Sequence, residues 1–380
     1  MKRYNYLFLL MLCVSLLASC GNSKNQMPNS NSAESFGSTV SAIFIGEANT
    51  AEADTMRSSN ADFYLEPQYD AKSSTLILKD LSANMTKASY HFDGVQSLLS
   101  IEKIPNGVIM LAAAKGVEKR ALNGVSLSTN TGSADSVMIY RFDEQLNLQD
   151  SFCTDDPDIS YALQNYPYAV SPNGEELTWV QEDGIYRYAL ASGGLKQVSL
   201  KLPEIVYFVQ VKYSESGKRL FYCGGGDREG ITLYGALDAE TGEGTLFEAK
   251  NFEVSSIEVT GDYAVLNAAV PPGAVSGNGR VIFIDGMGNT VNEITLQSQS
   301  ENDLAVVTKD GKNIVTLQAT DSRSGVLRCY EAASSKLKLE QDYFSEQESK
   351  PYLLIVQEKT VQAVFYTEQG FVLSSLINLL

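Results

Sequence analysis

The stretch Ala169-Val-Ser-Pro-Asn-Gly-Glu-Glu-Leu-Thr-Trp-Val180 decides the fold. Two runs rich in β-branched and aromatic residues, 166–170 and 176–181, flank the turn sequence Ser-Pro-Asn-Gly at 171–174. Proline and asparagine favour a tight turn, and glycine supplies the positive φ that such a turn needs. The stretch therefore predicts an antiparallel β-hairpin.

The same hairpin pattern recurs along the whole chain, with turn centres near residues 106, 173, 216, 261, 310 and 358. Their separations are 67, 43, 45, 49 and 48 residues, and insertions at 115–136 and 153–165 explain the longest one. A repeat in the forties with several strands in each unit is typical of a β-propeller.

Further apolar runs follow the hairpins and predict a third and a fourth strand in each unit, as at 137–142 and 146–152. We therefore predict an all-β propeller of four-stranded blades, seven in number, with six or eight left open. The first blade is expected to use 40–46, 63–67, 75–81 and 87–92. In an alternative, 40–46 instead supplies the missing outer strand of the last blade, so that strands from both termini close the ring.

The hairpin at 169–180, with looser copies at 212–222 and 307–316, resembles the Ser-Pro-Asp-Gly hairpins of the bacterial TolB and WD40-like propeller families. This resemblance implies the propeller architecture for most of the chain, although the Trp-Asp dipeptide of WD40 repeats is absent. Since propellers host many unrelated functions, the resemblance implies no activity.

The N-terminus has the pattern of an export signal. Lys2 and Arg3 precede an apolar run at 4–17, which ends in Leu17-Ala-Ser-Cys20. This last box resembles the bacterial lipoprotein signal, and the resemblance implies cleavage before Cys20 and acylation of Cys20. An ordinary signal peptide, in which Cys20 is incidental, is the alternative.

The chain thus divides into a lipoprotein signal peptide (1–19), a lipidated flexible tether (20–38) and the propeller (39–380). The tether is polar and has few large apolar residues, so it cannot bury enough surface to offset its ordering entropy. We expect an extracytoplasmic protein held by its acyl chains to the cell membrane or the outer membrane.

The composition excludes several classes of function. With 46 acidic and 29 basic residues, the net charge of −17 argues against a nucleic-acid partner. The chain has a single histidine, His91, and no Cys-x-x-Cys pair, so neither a metal nor a cofactor is expected. Cys153, Cys223 and Cys329 are expected to be buried in strands as small apolar residues.

The connections between second and third strands are expected at the same rim as the connections between blades, and several of them are long. Their charged residues form a candidate binding rim, comprising Asp227, Arg228, Arg280, Asp321 and Arg323. Alternating aspartate and arginine can hold a carboxylate or a sugar. Solvated charged loops are the alternative, and a solvated turn is expected for the acidic run 155–158.

We interpret the protein as a non-catalytic binding or interaction module for a protein or a small ligand, and assign no catalytic residue. The alternative is a cell-surface enzyme that acts on carbohydrate or peptide through carboxylates at the channel mouth. Two or three carboxylates about 5–10 Å apart in an axial pocket would favour the enzyme. A role in envelope assembly is a third option, by analogy of fold and anchor only.

Overall fold

The computed structural model describes residues 43–45, 65–94, 97–104, 106–113, 136–154, 156–202, 207–225, 231–250, 252–269, 279–296, 303–345, 347–356, 359–368 and 370–379. All of them fall within one compact unit, Ser41–Leu380. The predicted signal peptide, the tether and Cys20 lie outside the described residues.

Seven β-sheets follow one another along the chain, and we number them blades 1 to 7. The first described strand, β1 (Ile43–Ile45), joins blade 6. Blade 1 contains β2 (Leu65–Asp70), β3 (Thr75–Asp80) and β4 (Met85–His91). Blade 2 contains β5 (Ser97–Ile104), β6 (Gly107–Ala113), β7 (Val137–Phe142) and β8 (Leu148–Thr154). Blade 3 contains β9 (Tyr168–Val170), β10 (Glu176–Gln181), β11 (Gly184–Ala189) and β12 (Leu195–Ser199).

The remaining blades repeat this order. Blade 4 contains β13 (Tyr207–Tyr213), β14 (Arg219–Gly225), β15 (Ile231–Asp238) and β16 (Phe247–Lys250). Blade 5 contains β17 (Glu253–Thr260), β18 (Tyr263–Ala269), β19 (Arg280–Ile284) and β20 (Thr290–Thr295). Blade 6 contains β21 (Leu304–Val307), β22 (Asn313–Ala319), β23 (Ser324–Glu331) and β24 (Leu337–Ser345). Blade 7 contains β25 (Ser349–Val356), β26 (Thr360–Thr367), β27 (Gly370–Leu373) and β28 (Ile377–Asn378).

The seven-bladed β-propeller predicted from the repeat is confirmed. The first and second strands of blades 2 to 6 form antiparallel hairpins at the predicted positions. Each of these hairpin turns contains a glycine with positive φ, namely Gly107, Gly174, Gly217, Gly261 and Gly311. The recurring glycine in the sequence therefore marks a backbone conformation that other residues adopt only at a cost.

The hydrophobic core lies between neighbouring blades. In one cluster, Ile109 and Leu111 of blade 2 pack with Leu177 and Trp179 of blade 3. Similar clusters join the later pairs of blades. The blades are thus held by apolar packing on both faces, which gives a rigid ring on which loops can be presented.

The prediction that 40–46 belongs to the first or the last blade is wrong. Ile43–Ile45 pairs in parallel with Tyr343, Phe344 and Ser345 of β24, so β1 is a fifth strand at the outer edge of blade 6. In blade 7, β27 and β28 both pair with β26, so two short pieces share the third position. The segment at 87–92 is the third strand of blade 1, since β2 takes the innermost place.

The insertion at 153–165, which we expected to be a loop, contains a helix, α1 (Pro157–Asn165). The Asp156 carboxylate accepts hydrogen bonds from the backbone N–H groups of Asp158 and Ile159, and therefore caps the helix. Ile159, Ala162 and Leu163, at helical spacing, pack into the core between blades 2 and 3. The prediction of a turn at 155–158 is therefore wrong, because a helix begins here; Asp156 and Asp158 are exposed to solvent as expected, and Asp155 lies outside the described residues.

Candidate functional site

Three of the five candidate rim residues lie within the described part of the chain, at or just before the start of a third strand. Arg280 starts β19 in blade 5, and Asp321 and Arg323 lie just before β23 in blade 6. Asp227 and Arg228, between β14 and β15 of blade 4, lie outside the described residues. In an antiparallel blade, this rim also carries the connections from one blade to the next.

Arg280 makes two contacts that fix its side chain. Its guanidinium carbon lies 4.2 Å from the centre of the Phe252 ring, and its Nη1 donates to Oε2 of Glu293 at 3.0 Å. Phe252 belongs to the connection that leads from blade 4 to blade 5, whereas Glu293 is on β20. The rim arginine is therefore held against the groove between two blades by a cation–π contact and an ion pair.

A cavity of about 390 Å³ lies beside Arg280, in the groove between blades 4 and 5. Its lining consists of Glu248, Ala249, Lys250, Phe252, Arg280, Ile282 and Glu293. The volume is within the range of small-ligand sites, and the lining combines an apolar floor with charged groups.

Asp321 and Arg323 are engaged differently. The Asp321 carboxylate accepts from the backbone N–H groups of Arg323 and Ser324, at 2.7 and 2.8 Å, and from the Ser324 hydroxyl at 2.6 Å. The bond from that hydroxyl lowers the pKa of Asp321. Asp321 thus shapes its own turn. The contacts of Arg280 lie between blades 4 and 5, whereas those of Asp321 lie within its own turn in blade 6. Among the described residues, these two candidate rim residues therefore do not join into a ring of alternating charges.

The central channel carries a second group of charges, which the sequence did not reveal. The first strand of each blade from blade 3 to blade 6 contacts the first strand of the next blade, in the order β9, β13, β17, β21 and β25. The first strands of blades 1 and 2, β2 and β5, also contact each other. Two hydrogen bonds complete the ring: the Tyr168 hydroxyl donates to Ser100 Oγ, and the Tyr352 hydroxyl donates to Glu66 Oε1 at 3.0 Å. The seven first strands therefore surround the channel.

Two carboxylates of this channel, Glu66 on β2 and Glu102 on β5, have raised pKa values. Burial raises the pKa of Glu66, which the Tyr352 hydroxyl and the charge of Lys103 partly offset. Burial also raises the pKa of Glu102; Lys212 opposes the change and the charge of Glu66 adds to it. The Glu102 side chain is in contact with solvent. The protein atoms of the channel wall around it still remove part of its hydration, and this partial desolvation raises its pKa.

Nearby lysine side chains partly offset the negative charges of Glu66 and Glu102. Lys212 on β13 lowers the pKa of Glu102 and also forms an ion pair with Glu258 on β17, with Nζ and Oε2 3.2 Å apart. The channel wall thus alternates acidic and basic groups over several blades. Such an arrangement suits the binding of a polar or zwitterionic group, and a carboxyl group of raised pKa can also serve as a general acid.

The cysteines and the histidine offer no alternative site in the described part of the chain. Cys223 and Cys329 are buried thiols, as predicted, and burial raises the pKa of Cys223 to about 12. Cys153, also predicted to be buried, is instead only half-buried on β8. His91 ends β4, with its Nδ1 3.4 Å from Thr75 Oγ1. No group of three or more metal-binding side chains occurs among the described residues.

None of the helices in the described ranges has the length and apolar character needed to cross a membrane.

Solved structures resemble this one in fold. The β-propeller domain of Cps50 (Swd1) from Myceliophteria thermophila is 10% identical, with a TM-score of 0.50; the match covers 89% of this chain and 97% of that one. The acylaminoacyl peptidase of Pyrococcus horikoshii is 14% identical, with a TM-score of 0.46, over 74% of this chain and 45% of that one. No family model and no curated protein matches the sequence. At this identity, the likeness to Cps50 shows the fold alone.

Proposed function

We propose that this chain is a lipid-anchored extracytoplasmic protein whose propeller binds a protein or a small ligand at the rim that carries Arg280, without catalysis. One observation carries the proposal: a cavity of about 390 Å³ opens beside the rim arginine that the sequence singled out. The apolar packing between blades keeps this rim rigid, and a preformed surface lowers the entropic cost of binding.

The anchoring half of the proposal rests on the Leu17-Ala-Ser-Cys20 box and its resemblance to the lipoprotein signal. Acylation at Cys20, together with a polar tether, would hold the propeller near a membrane surface. The test is fractionation of cells that express the chain or its Cys20→Ser variant. We expect the parent chain in the membrane pellet and the variant outside it; equal distribution of the two would contradict the anchor.

The binding half is tested by cross-linking in cells, followed by mass spectrometry. The double variant Arg280→Glu, Arg323→Glu reverses two charges of the rim. The matched control, Lys336→Glu, reverses one exposed charge in the turn between β23 and β24, at the opposite rim. We expect cross-links that persist in the control and disappear in the double variant. Cross-links that survive the double variant would place binding elsewhere.

A second candidate function is favoured by the channel pair Glu66 and Glu102, whose raised pKa values suit a carboxyl group that gives up a proton. In this case the protein would hydrolyse a carbohydrate or a peptide at the cell surface. Removal of a general acid typically lowers the rate by about 10²–10⁴-fold. Hydrolysis of chromogenic glycosides and peptides that falls by this factor in Glu102→Gln would support the enzyme; absence of any hydrolysis by the parent chain would reject it.

A further inference from the structure

The cavity between blades 4 and 5 has an apolar floor. Ala249 and Ile282 are buried in the core that joins the two blades, and Phe252 packs against the same cluster. The outer strand β16 has only four residues, and its last three, Glu248, Ala249 and Lys250, line the cavity. A side chain larger than that of Ala249 would fill part of this space.

The charged side chains around this floor differ in the interactions that they already make. The Glu293 carboxylate is paired with Arg280, and Glu248 is itself engaged in an interaction with its surroundings. Arg280 has five N–H donors, of which Nη1 bonds to Glu293, while its stacking on Phe252 uses the face of the guanidinium and no donor. Lys250, whose side chain is exposed, also lines the cavity.

We propose that this cavity binds a small amphipathic anion, an arylalkyl or alkyl carboxylate, with its carboxylate on Arg280 and Lys250 and its apolar body on the partly exposed Phe252. This inference rests on the proposed binding function and names the ligand class for its rim. Planar guanidinium groups match carboxylates in geometry, and charge-assisted bonds of this kind are stronger than neutral ones. Phe252 supplies a ring on which an apolar body can pack.

The ion pair between Arg280 and Glu293 does not prevent binding. The two side chains are each 41% exposed, and exposed ion pairs contribute little to stability. A carboxylate that also gains apolar contacts on the floor can therefore share or replace the bond to Glu293. A cation, in contrast, would meet Arg280 and Lys250, and the two carboxylates of the lining, Glu293 and Glu248, are already engaged in other interactions.

The experiment compares three probes of similar shape on the full-length chain in detergent: 3-phenylpropionate, its neutral amide and 3-phenylpropylammonium. Binding is measured by saturation-transfer NMR and by titration calorimetry. We expect the carboxylate to bind at least tenfold more tightly than the amide, and the ammonium compound to bind more weakly still.

Three variants locate the site. Arg280→Gln keeps most of the side-chain volume and is expected to weaken carboxylate binding at least tenfold. Phe252→Leu keeps an apolar side chain but removes the ring, and is expected to weaken binding of the carboxylate and the amide alike. Arg219→Gln, whose side chain pairs with Asp238 within blade 4, is the matched control and should leave binding unchanged. Circular dichroism verifies that each variant is folded.

The inference would be overturned by equal binding of carboxylate and amide, by preference for the ammonium compound, by absence of binding of all three, or by carboxylate binding that survives Arg280→Gln. If carboxylate binding fails while the rim-dependent cross-links persist, the proposed binding function stands without this ligand class. If the cross-links fail while the carboxylate binds, the cavity is a ligand site independent of a protein partner.

Discussion

The hydroxyl of Tyr352 on β25 donates a hydrogen bond of 3.0 Å to Oε1 of Glu66 on β2, across 286 residues of sequence. These two residues belong to the last and the first blade, so the bond lies where the ring closes. Gln68 also bonds to the Tyr352 side chain. Nearby, Leu81 of blade 1 packs with Phe371 and Leu373 of blade 7. Side chains, and no shared strand among the described residues, hold this seam together.

Tyr352→Phe is therefore expected to weaken ring closure. The substitution removes a hydrogen bond to a carboxylate that remains half-buried, and such a loss costs about 1–3 kcal/mol. Chemical denaturation followed by circular dichroism measures the change. Tyr366→Phe is the control, because Tyr366 is 53% exposed and lies 5.3 Å from the same Phe371 ring. Equal stability of the two variants would show that the hydroxyl of Tyr352 does not support the seam.

Glu66 is expected to make stability depend on pH. Because burial holds the pKa of Glu66 above its ordinary value, the folded state binds its proton more tightly than the unfolded state does. The free energy of unfolding therefore decreases as the pH rises from about 4.3, the unfolded pKa, through the folded pKa, and this contribution is constant above it. The hydrogen bond from Tyr352 and the charge of Lys103 reduce this rise in the pKa of Glu66. Glu102 lies on the same channel wall, and the charge of Glu66 raises its pKa.

Glu66→Gln removes this titration and keeps an oxygen that can accept from Tyr352. The difference in unfolding free energy, variant minus parent, is expected to grow in favour of the variant as the pH rises from 4 to 7. Denaturation at a series of pH values measures it. Glu144→Gln, in an exposed turn of blade 2, removes the same charge from the surface and serves as the control. A pH-independent difference for Glu66→Gln would contradict the argument.

Gly107→Ala is expected to destabilise blade 2. At Gly107, φ is +146°, and an added Cβ would lie 1.9 Å from the carbonyl oxygen of Phe142. The backbone must move, so we expect a loss of about 2–4 kcal/mol. Gly193→Ala, where φ is +68° and the nearest atom is 3.7 Å away, is expected to lose about 1 kcal/mol from backbone strain alone. Thermal unfolding of both variants measures this order, and the reverse order would contradict it.

Deletion of 43–45 is expected to leave the propeller intact. The strand β1 adds to a blade that already has four strands, and the ring is complete without it. We expect an unchanged circular dichroism spectrum and a small decrease in melting temperature. In contrast, Ile377→Ala removes a side chain that is 5% exposed in the core between blades 6 and 7, at a cost of about 2–5 kcal/mol. A deletion that unfolds the protein would show that β1 is required.

The sequence predicted the parts of the fold that are local. A hairpin such as 166–181 has both strands and its turn within about fifteen residues, so the turn glycine and the apolar alternation specify it. The partner of β1 is β24, 300 residues away, and no local signal selects it. The helix α1 did have signals, with Asp156 as cap and Ile159, Ala162 and Leu163 at helical spacing, but only nine residues carry them.

The candidate sites show the same limit. Arg280 could be placed at the rim because strand order determines the end of the blade at which a connection lies. Its contact with Phe252 and the pairing of Glu66 with Tyr352 depend on how neighbouring blades pack. Sequence spacing does not specify such contacts, because each blade is a separate sheet and the contacting residues come from different repeats.

Trp179 provides the last prediction. It is 2% exposed and stacks on Tyr186, with ring centres 5.6 Å apart, while its indole N–H finds no acceptor among the described residues. A buried donor without a partner costs about 1–3 kcal/mol. Trp179→Phe removes that donor and some apolar contact, so the two effects oppose each other and we expect a change below about 1.5 kcal/mol. Trp179→Ala leaves a large cavity and is expected to cost about 3–5 kcal/mol. Urea denaturation followed by circular dichroism compares the variants, and a loss in Trp179→Phe as large as that in Trp179→Ala would show that the indole N–H is satisfied in solution.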